Sequence, residues 1–430
     1  MDTHLILRSL SAFTALPYEL LYIIFSFLTR HDLLNVCSVR RFRNVAQDLL
    51  YQEFHTDGRN VAMFLRTILF NKTLASRVRR VYMKEYYLYG DRQYTESFVA
   101  LLTQHLLHLD IPLHVKVLWC KQITHRRALA TLLLSHLPRL EKLEIASTDD
   151  DHRFTGIPGW FLSPKQPFWT LLMPKIATSF VKTSFLRNVR ELSLEGLSCS
   201  MCDLASVFSL PSLRSLRMRP VIQSERDRGL TEWMFRPRSS GLSILALLEA
   251  DISRQTLRQV LHSCTALVDF TYGERWDTET TDPWVGQDPD SLIKILSPFH
   301  DTLRTLILQN KDPFPSENSP IRSLLEFRAL ERFSTGTFAI IDDGTYIQEI
   351  LPGSLIELEL RDNYSRLTGA HGSNFHNVIS VFAEAKRKLL PNLTKMSLTL
   401  DQEHWENSDL DFNKCLRNGV EFCIQIDELC

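Results

Sequence analysis

Apolar and polar positions follow two different spacings along this 430-residue chain, and the change of spacing divides it. Near the N-terminus, apolar residues recur every three or four positions, which indicates amphipathic helices. From about residue 75 onward, the spacing apolar-x-x-apolar-x-apolar returns repeatedly, with stretches of helical periodicity between the copies. The pattern therefore predicts a short helical segment followed by a long alternation of strands and helices.

Three helices are predicted between Pro17 and about residue 54. Pro17 suits the first helical position, where its missing N–H would have no partner anyway. In the first helix we expect one apolar stripe to be buried and a second to lie beside it. The stripe expected to be buried comprises Leu20, Ile23, Ile24, Phe27 and Leu28. The second stripe comprises Leu21 and Phe25. Asp32 is the predicted N-cap of the second helix. The third helix carries Phe42, Val45, Ala46, Leu49 and Leu50.

This N-terminal unit has more apolar surface than it can bury within itself. About 40 residues is near the lower limit for independent folding. The unit must therefore pack on the rest of the chain or on another protein, and its surplus stripe favours another protein.

The same residues resemble an F-box. The resemblance rests on Leu16-Pro17-x-Glu19-Leu20, Ile23-x-Phe25-x-Phe27-Leu28, Asp32-Leu33-Leu34, Val36-Cys37 and Val39-Arg40-Arg41-Phe42, with Phe42 where many F-boxes carry Trp. It implies binding to a Skp-type adaptor, which joins F-box proteins to a cullin-RING ubiquitin ligase. The adaptor contacts that it implies are Leu16, Pro17, Leu20, Leu21, Ile24, Phe25, Leu33, Leu34 and Val39. The alternative is an ordinary helical cap on the main domain.

The later spacing is a repeat. Its copies begin at Val78, Val115, Leu140, Val189, Leu213, Leu242, Leu267, Leu303, Leu330, Leu355 and Leu393. Several successive starts lie 24 to 29 residues apart, which is the period of a leucine-rich repeat. The copy from Leu355 to Asn363 matches the full consensus, whereas most copies lack the asparagine, so the repeats are degenerate.

Helical stretches are predicted between the strands, at 96–109, 126–137, 254–264, 291–296, 321–327 and 377–390, and Val420 to Ile426 reads as a final strand. The predicted class is α/β: an F-box at 14–56, a helical linker at 57–74, and a curved leucine-rich-repeat-like solenoid at 75–430 with insertions near 148–188 and 273–290. A doubly wound sheet is the alternative. Together the two parts resemble the F-box/leucine-rich-repeat proteins that are frequent in fungi.

Residues between the apolar strand positions are expected to line the concave face of the solenoid. The candidate target-binding residues there are Arg214, Arg217, Arg219, Ile244 and Leu248, with Trp276 and Trp284 in the acidic loop after Tyr272. The arginine-rich segment 217–238 and that acidic loop either attract each other or select the target. Ordinary solvated strand residues are the alternative.

Composition narrows the function further. A net charge of -1 argues against a nucleic-acid partner. The longest apolar run, Leu20 to Leu28, falls short of the roughly 20 residues that span a bilayer. No signal peptide is recognisable. Eight scattered cysteines fit reduced thiols in the cytosol or nucleus.

No catalytic motif stands out. The sequence has no Gly-x-x-x-x-Gly-Lys-Ser/Thr loop, His-Glu-x-x-His pair or Gly-x-Ser-x-Gly turn. The lone pair Cys199 and Cys202 lacks the further ligands that zinc requires. We therefore expect no metal and no cofactor. Together with this absence of catalytic motifs, the F-box resemblance implies a non-catalytic receptor subunit of a ubiquitin ligase. A scaffold acting outside ubiquitination and an unrecognised enzyme remain the alternatives.

Overall fold

The structure is a computed structural model. It describes residues 16–56, 61–84, 94–109, 113, 116–117, 120, 126–146, 186–195, 207–222, 237–274, 289–309, 321–336, 350–361, 389–401 and 421–427. The chain divides into two compact units, Met1–Ser193 and Leu194–Cys430.

Among its described residues, the first unit starts with three helices and continues into parallel strands. The helices whose bounds are described are α1 (Tyr18–Phe25), α2 (Arg30–Cys37), α3 (Arg43–Gln52), α4 (Val61–Phe70), α5 (Lys72–Ala75), α6 (Glu96–Leu107) and α7 (Arg126–Ser135). Its strands are β1 (Glu53–His55), β2 (Arg80–Lys84) and β3 (Lys142–Ala146), and β2 pairs in parallel with both others. The next strand, β4 (Glu191–Glu195), spans the division between the units.

The second unit is built mainly from parallel strands. They are β5 (Ser215–Arg219), β6 (Val221–Ile222), β7 (Ile244–Asp251), β8 (Asp269–Glu274), β9 (Thr305–Gln309), β10 (Arg332–Gly336), β11 (Glu357–Arg361), β12 (Lys395–Asp401) and β13 (Glu421–Asp427). Two α-helices, α8 (Arg254–Ser263) and α9 (Pro289–Leu296), and the 3-10 helix Ser297–Phe299 follow β7 and β8.

Strand order follows chain order in the second unit. From β7 to β13 each strand pairs in parallel with the next one in the sequence, and β5 pairs with β7. A doubly wound sheet would reverse its order at a switch point, and no reversal occurs among these described strands. The arrangement is therefore compatible with an α/β solenoid.

Strand positions agree closely with the sequence pattern. At ten of the eleven predicted copies a strand begins two residues after the first apolar position, as at Leu303 and Thr305. That first residue is buried at all ten, and the two later apolar positions of β9 and β11 are buried while their neighbours are half-exposed. The apolar side chains thus form the core, and the intervening side chains face the other way.

Two predicted elements are wrong. Lys116, Val117 and Cys120 are helical, so these described positions do not form the strand expected of the copy at 115–120. Residues 321–327 are irregular, with one turn at 325–326, instead of helical, and Ile321, Leu324 and Phe327 are buried. In both places a short apolar run fits more than one backbone period, and packing decides between them. The predicted helix at 377–390 lies almost wholly outside the described residues, whereas those at 96–109, 126–137, 254–264 and 291–296 are confirmed with slightly different ends.

Candidate protein-binding surfaces

The first three helices share a small apolar core of their own. It consists of Leu21, Phe25, Leu33, Phe42, Val45 and Ala46. The rings of Phe25 and Phe42 meet edge to face, with centroids 5.5 Å apart and planes at 87°, a favourable aromatic geometry. This core joins α1 to α2 and α3 and leaves the opposite side of α1 without cover from them.

Polar contacts fix the helix ends and the angle of α1. The Thr29 hydroxyl accepts from the Asp32 N–H at 3.2 Å, and an Asp32 carboxylate oxygen accepts from the Thr29 N–H at 3.3 Å. Thr29 is therefore the N-cap of α2, and the prediction of Asp32 as N-cap is wrong: Asp32 closes a capping box from three residues further on. Tyr18 donates to Asp48, and Tyr22 donates to Gln52 at 2.8 Å.

The Tyr18 hydroxyl remains neutral near physiological pH. Burial, together with the hydrogen bond to the Asp48 carboxylate, raises the pKa of Tyr18 to about 12. The neutral phenol is therefore retained as a donor between α1 and α3.

An exposed row of apolar side chains runs along the outer side of α1. Leu20, Ile23 and Ile24 are 46%, 54% and 38% exposed, and Phe27 in the turn that follows is 83% exposed. We call these four residues the α1 stripe. The prediction that this stripe is buried is wrong, because Leu21 and Phe25 fill the core instead.

Several predicted adaptor contacts change role accordingly. Leu21, Phe25 and Leu33 are only 5%, 3% and 7% exposed, so their assignment as contact residues is corrected: they hold the helices together. The other predicted contacts remain accessible, namely Pro17, Leu20, Ile24, Leu34 and Val39, with Leu16 half-buried against the core. Their role in adaptor binding stays a prediction.

Two exposed members of the α1 stripe, Ile23 and Phe27, were not among the predicted contacts. Their signal was present in the sequence, because they share the helical spacing of Leu20 and Ile24. Periodicity alone could not say which stripe of α1 is covered.

The three-helix segment continues directly into the parallel strands of the first unit. Glu53, the first residue of β1, follows α3 without a loop. Phe54 of β1 stacks on Phe64 of α4 at 3.8 Å between centroids. Arg77, just before β2, makes an ion pair with Asp48 of α3. These contacts hold α3 in a defined position relative to β1 and β2.

Comparison with known proteins agrees with this geometry. Residues 13–57 match the F-box-like family, which covers the three helices and nearly coincides with the predicted segment 14–56. The chain therefore carries an F-box-like domain at its N-terminus. No curated protein matches the chain.

Ion pairs and hydrogen bonds already engage the three arginines predicted to bind a target. Arg217 Nε lies 3.4 Å from an oxygen of Glu195, and Arg219 Nη2 lies 2.7 Å from an oxygen of Glu249. The hydrogen bond to Glu249 raises the pKa of Arg219. Arg214 Nη1 donates to the carbonyl of Gly241 at 2.8 Å. The basic character of this edge is therefore partly neutralised.

The remaining predicted target-binding residues differ in their surroundings. Ile244 is exposed at the start of β7. The placement of Leu248 on the open face is wrong, because it is only 8% exposed. The register of β7 against β8 shifts between Leu247 and Ala250, and Glu249 has φ 49°, so the alternation of side chains breaks at this bulge. Trp276 and Trp284 lie outside the described residues.

The described part of the chain shows neither a metal-binding cluster nor a membrane-spanning helix. Among the described residues, no group of three or more His, Cys, Asp or Glu side chains could hold a metal ion. Within the described ranges, no helix combines the length and the apolar character needed to cross a bilayer. Cys199 and Cys202 lie outside them.

Proposed function

We propose that this chain is the substrate-recognition subunit of a Skp-cullin-F-box ubiquitin ligase. The F-box-like domain would bind a Skp-type adaptor, and the parallel-strand region would bind a protein target. The observation that carries the proposal is an F-box-like domain whose own core is complete while the α1 stripe stays open to solvent. An apolar row of this kind is typical of a surface that another protein covers.

Such a subunit needs no nucleophile of its own. It holds a target near a separate conjugating enzyme, so the rate of ubiquitin transfer rises through effective concentration and orientation. A high effective concentration and a fixed orientation of the target both require a stiff connection between the adaptor-binding helices and the rest of the chain. The unbroken passage from α3 into β1 supports this arrangement within the first unit.

The α1 stripe is large enough to contribute substantially to adaptor binding. Covering the parts of its four side chains that are still exposed would yield on the order of 3 to 7 kcal/mol before the entropy of association is subtracted. Leu34 and Val39, on α2 and in the turn after it, are also exposed and would add to the interface.

The parallel-strand region is proposed to consist of degenerate leucine-rich repeats. Support comes from the sequential parallel order and from strands that begin two residues after the first apolar position of each copy. In this reading, the half-exposed strand positions would form the target-binding face.

The function is tested by affinity purification of the full chain with an Ile23→Asp, Phe27→Asp double variant. We expect the wild-type chain to recover a Skp-type adaptor and cullin, and the variant to recover neither. A matched control is Met63→Asp with Phe70→Asp, because these α4 side chains are 67% and 68% exposed but lie outside residues 13–57. Equal recovery of adaptor by both double variants would contradict the proposed interface.

The same purification separates ligase from scaffold. Adaptor together with cullin supports the ubiquitin-ligase subunit. Adaptor without cullin would instead favour an F-box scaffold that acts outside ubiquitination.

A further inference from the structure

A basic cleft lies in the second unit, among elements that the proposed adaptor interface does not use. It has a volume of about 250 Å³ and lies between the C-terminal half of α8, the start of the segment 237–243 and the end of α9. The basic side chains that line it are Arg238, Arg258, His262 and Lys294. We call it the α8–α9 cleft.

Two of its arginines take part in no ion pair among the described residues. Within the described part of the chain, neither Arg238 nor Arg258 has an ion-pair partner, and both are exposed. Lys294 is different, because its Nζ lies 2.7 Å from an oxygen of Asp290. The negative end of the α8 dipole favours cations near this end of the helix. It carries only a partial charge, so it does not neutralise a guanidinium group.

The backbone holds Arg238 in place. Its φ is 56°, in the left-handed region that residues other than glycine seldom adopt. Its N–H donates to the His262 carbonyl at 3.0 Å, and its own carbonyl accepts from the Thr265 hydroxyl at 3.3 Å. Arg238 is thus presented from a constrained backbone, which lowers the entropy that a ligand must remove.

Apolar groups form the floor of the cleft. Cys264, Ile295 and Phe299 line it and are 2%, 8% and 4% exposed. Burial raises the pKa of the Cys264 thiol to about 12, so this group is uncharged near neutral pH. An apolar floor below a basic rim matches a ligand that combines one apolar group with negative charges around it.

The size of the cleft and the placement of its charges distinguish two kinds of ligand. Small-molecule sites usually enclose about 300 to 1,000 Å³ and bring polar groups together at their centre. Here the volume is smaller, and the cations stand on the exposed rim, where a single ion pair contributes little in water. A segment of protein can place one side chain on the floor and several carboxylates along the rim.

We infer that the α8–α9 cleft binds an acidic segment of a partner protein, with one apolar side chain on the Cys264 and Phe299 floor and carboxylates paired with Arg238 and Arg258. This inference is independent of adaptor binding, since all of the residues involved belong to the second unit.

The test is fluorescence anisotropy with the full chain and a short fluorescein-labelled peptide of glutamates around one leucine, without any adaptor. We expect saturable binding that Arg258→Glu weakens at least about fivefold, because charge reversal at a rim position opposes an acidic partner. Arg328→Glu is the matched control: Arg328 is exposed in the turn before β10 and does not line the cleft. It should change the affinity less than about twofold, since Coulomb interactions between exposed charges are screened over about a Debye length.

A second peptide, with serine in place of the leucine, tests the apolar floor without altering the protein. It should bind at least about fivefold more weakly, because one buried apolar side chain is lost. Absence of binding, equal losses in Arg258→Glu and Arg328→Glu, or equal affinity of the two peptides would each overturn the inference. Displacement of the peptide by inorganic phosphate at constant ionic strength would also overturn it, in favour of a small-anion site.

Discussion

The Nε of Arg77 lies 2.8 Å from the Oδ1 of Asp48, and this ion pair joins the turn before β2 to α3 of the F-box-like domain. Arg77 also donates through Nη1 to the Asn44 carbonyl at 3.3 Å and to the Gln47 side chain at 3.2 Å. One side chain thus makes three contacts with a single helix. Because both charged side chains are mostly buried, water screens this pair less than a surface pair.

Loss of the Arg77–Asp48 pair should loosen α3 measurably. We expect Arg77→Ala to lower the free energy of unfolding of this region by about 1 to 2 kcal/mol, given two further hydrogen bonds to the same guanidinium. The measurement is hydrogen exchange of the α3 amides. A double-mutant cycle with Asp48→Asn isolates the pair, and a coupling energy near zero would show that the two charges do not stabilise each other.

Phe25 and Phe27 should respond in opposite ways to truncation, although they are two residues apart. Phe25→Ala empties part of the three-helix core and should lower stability by about 3 to 5 kcal/mol. Phe27→Ala removes an exposed ring and should change stability by less than about 0.5 kcal/mol. Hydrogen exchange of the α1 to α3 amides measures both effects. A large stability loss in Phe27→Ala would mean that this ring is covered by the chain itself.

Thr335 carries a buried hydroxyl that costs stability. Thr335 and Ser334 of β10 are fully buried, and within the described residues neither hydroxyl oxygen has a hydrogen-bond partner. We expect Thr335→Val to keep the branched shape of the side chain. It should raise the free energy of unfolding by up to about 1 kcal/mol, because position 335 then buries no unpaired hydroxyl group. Urea unfolding measures the change, with Thr305→Val at a half-exposed position of β9 as control. Destabilisation beyond 1 kcal/mol would reveal a partner for the hydroxyl.

Asp290 should make stability depend on pH. Burial acts to raise its pKa, but the hydrogen bond from Lys294 and the N–H of Arg322 outweigh burial and hold the pKa of Asp290 below its ordinary value. A carboxyl group whose pKa is lower in the folded state than in the unfolded state stabilises the fold at pH values above its unfolded-state pKa, which is near 4. This contribution is lost as the pH falls through its folded-state pKa.

The stability difference between wild type and Asp290→Asn should therefore be greatest at neutral pH and should shrink below about pH 4. Urea unfolding at a series of pH values measures it. Glu326→Gln, at an exposed position before β10, should show no such trend. A constant difference across the series would mean that the charge of Asp290 does not stabilise the fold.

Much of the fold was predictable because it follows from local pattern. The spacing apolar-x-x-apolar-x-apolar located the strands near Leu140, Leu267 and Leu355, each beginning two residues after that apolar position, since only one phase buries all three apolar side chains. The helical spacing likewise located α1, α2 and α3. The failures at Val115 and at residues 321–327 are places where short apolar runs satisfy two periods at once.

The candidate binding surface was predictable only in part, for a related reason. Sequence showed that α1 has two apolar stripes and that one exceeds the needs of a small core. It could not show which stripe packs inward, because Leu21 and Leu20 are equally apolar. Contact with α3 decided this: the ring of Phe42 meets Phe25, and Tyr22 bonds to Gln52.

By itself, then, the amino-acid sequence determined most of the elements, their order and the presence of surplus apolar surface at the N-terminus, because each depends on neighbours close along the chain. Only the tertiary structure decided that the α1 stripe faces solvent, that Leu248 is buried at a bulge and that Arg238 and Arg258 line one cleft. These outcomes depend on contacts between residues far apart in the sequence, such as Phe25 with Phe42, and no local period encodes them.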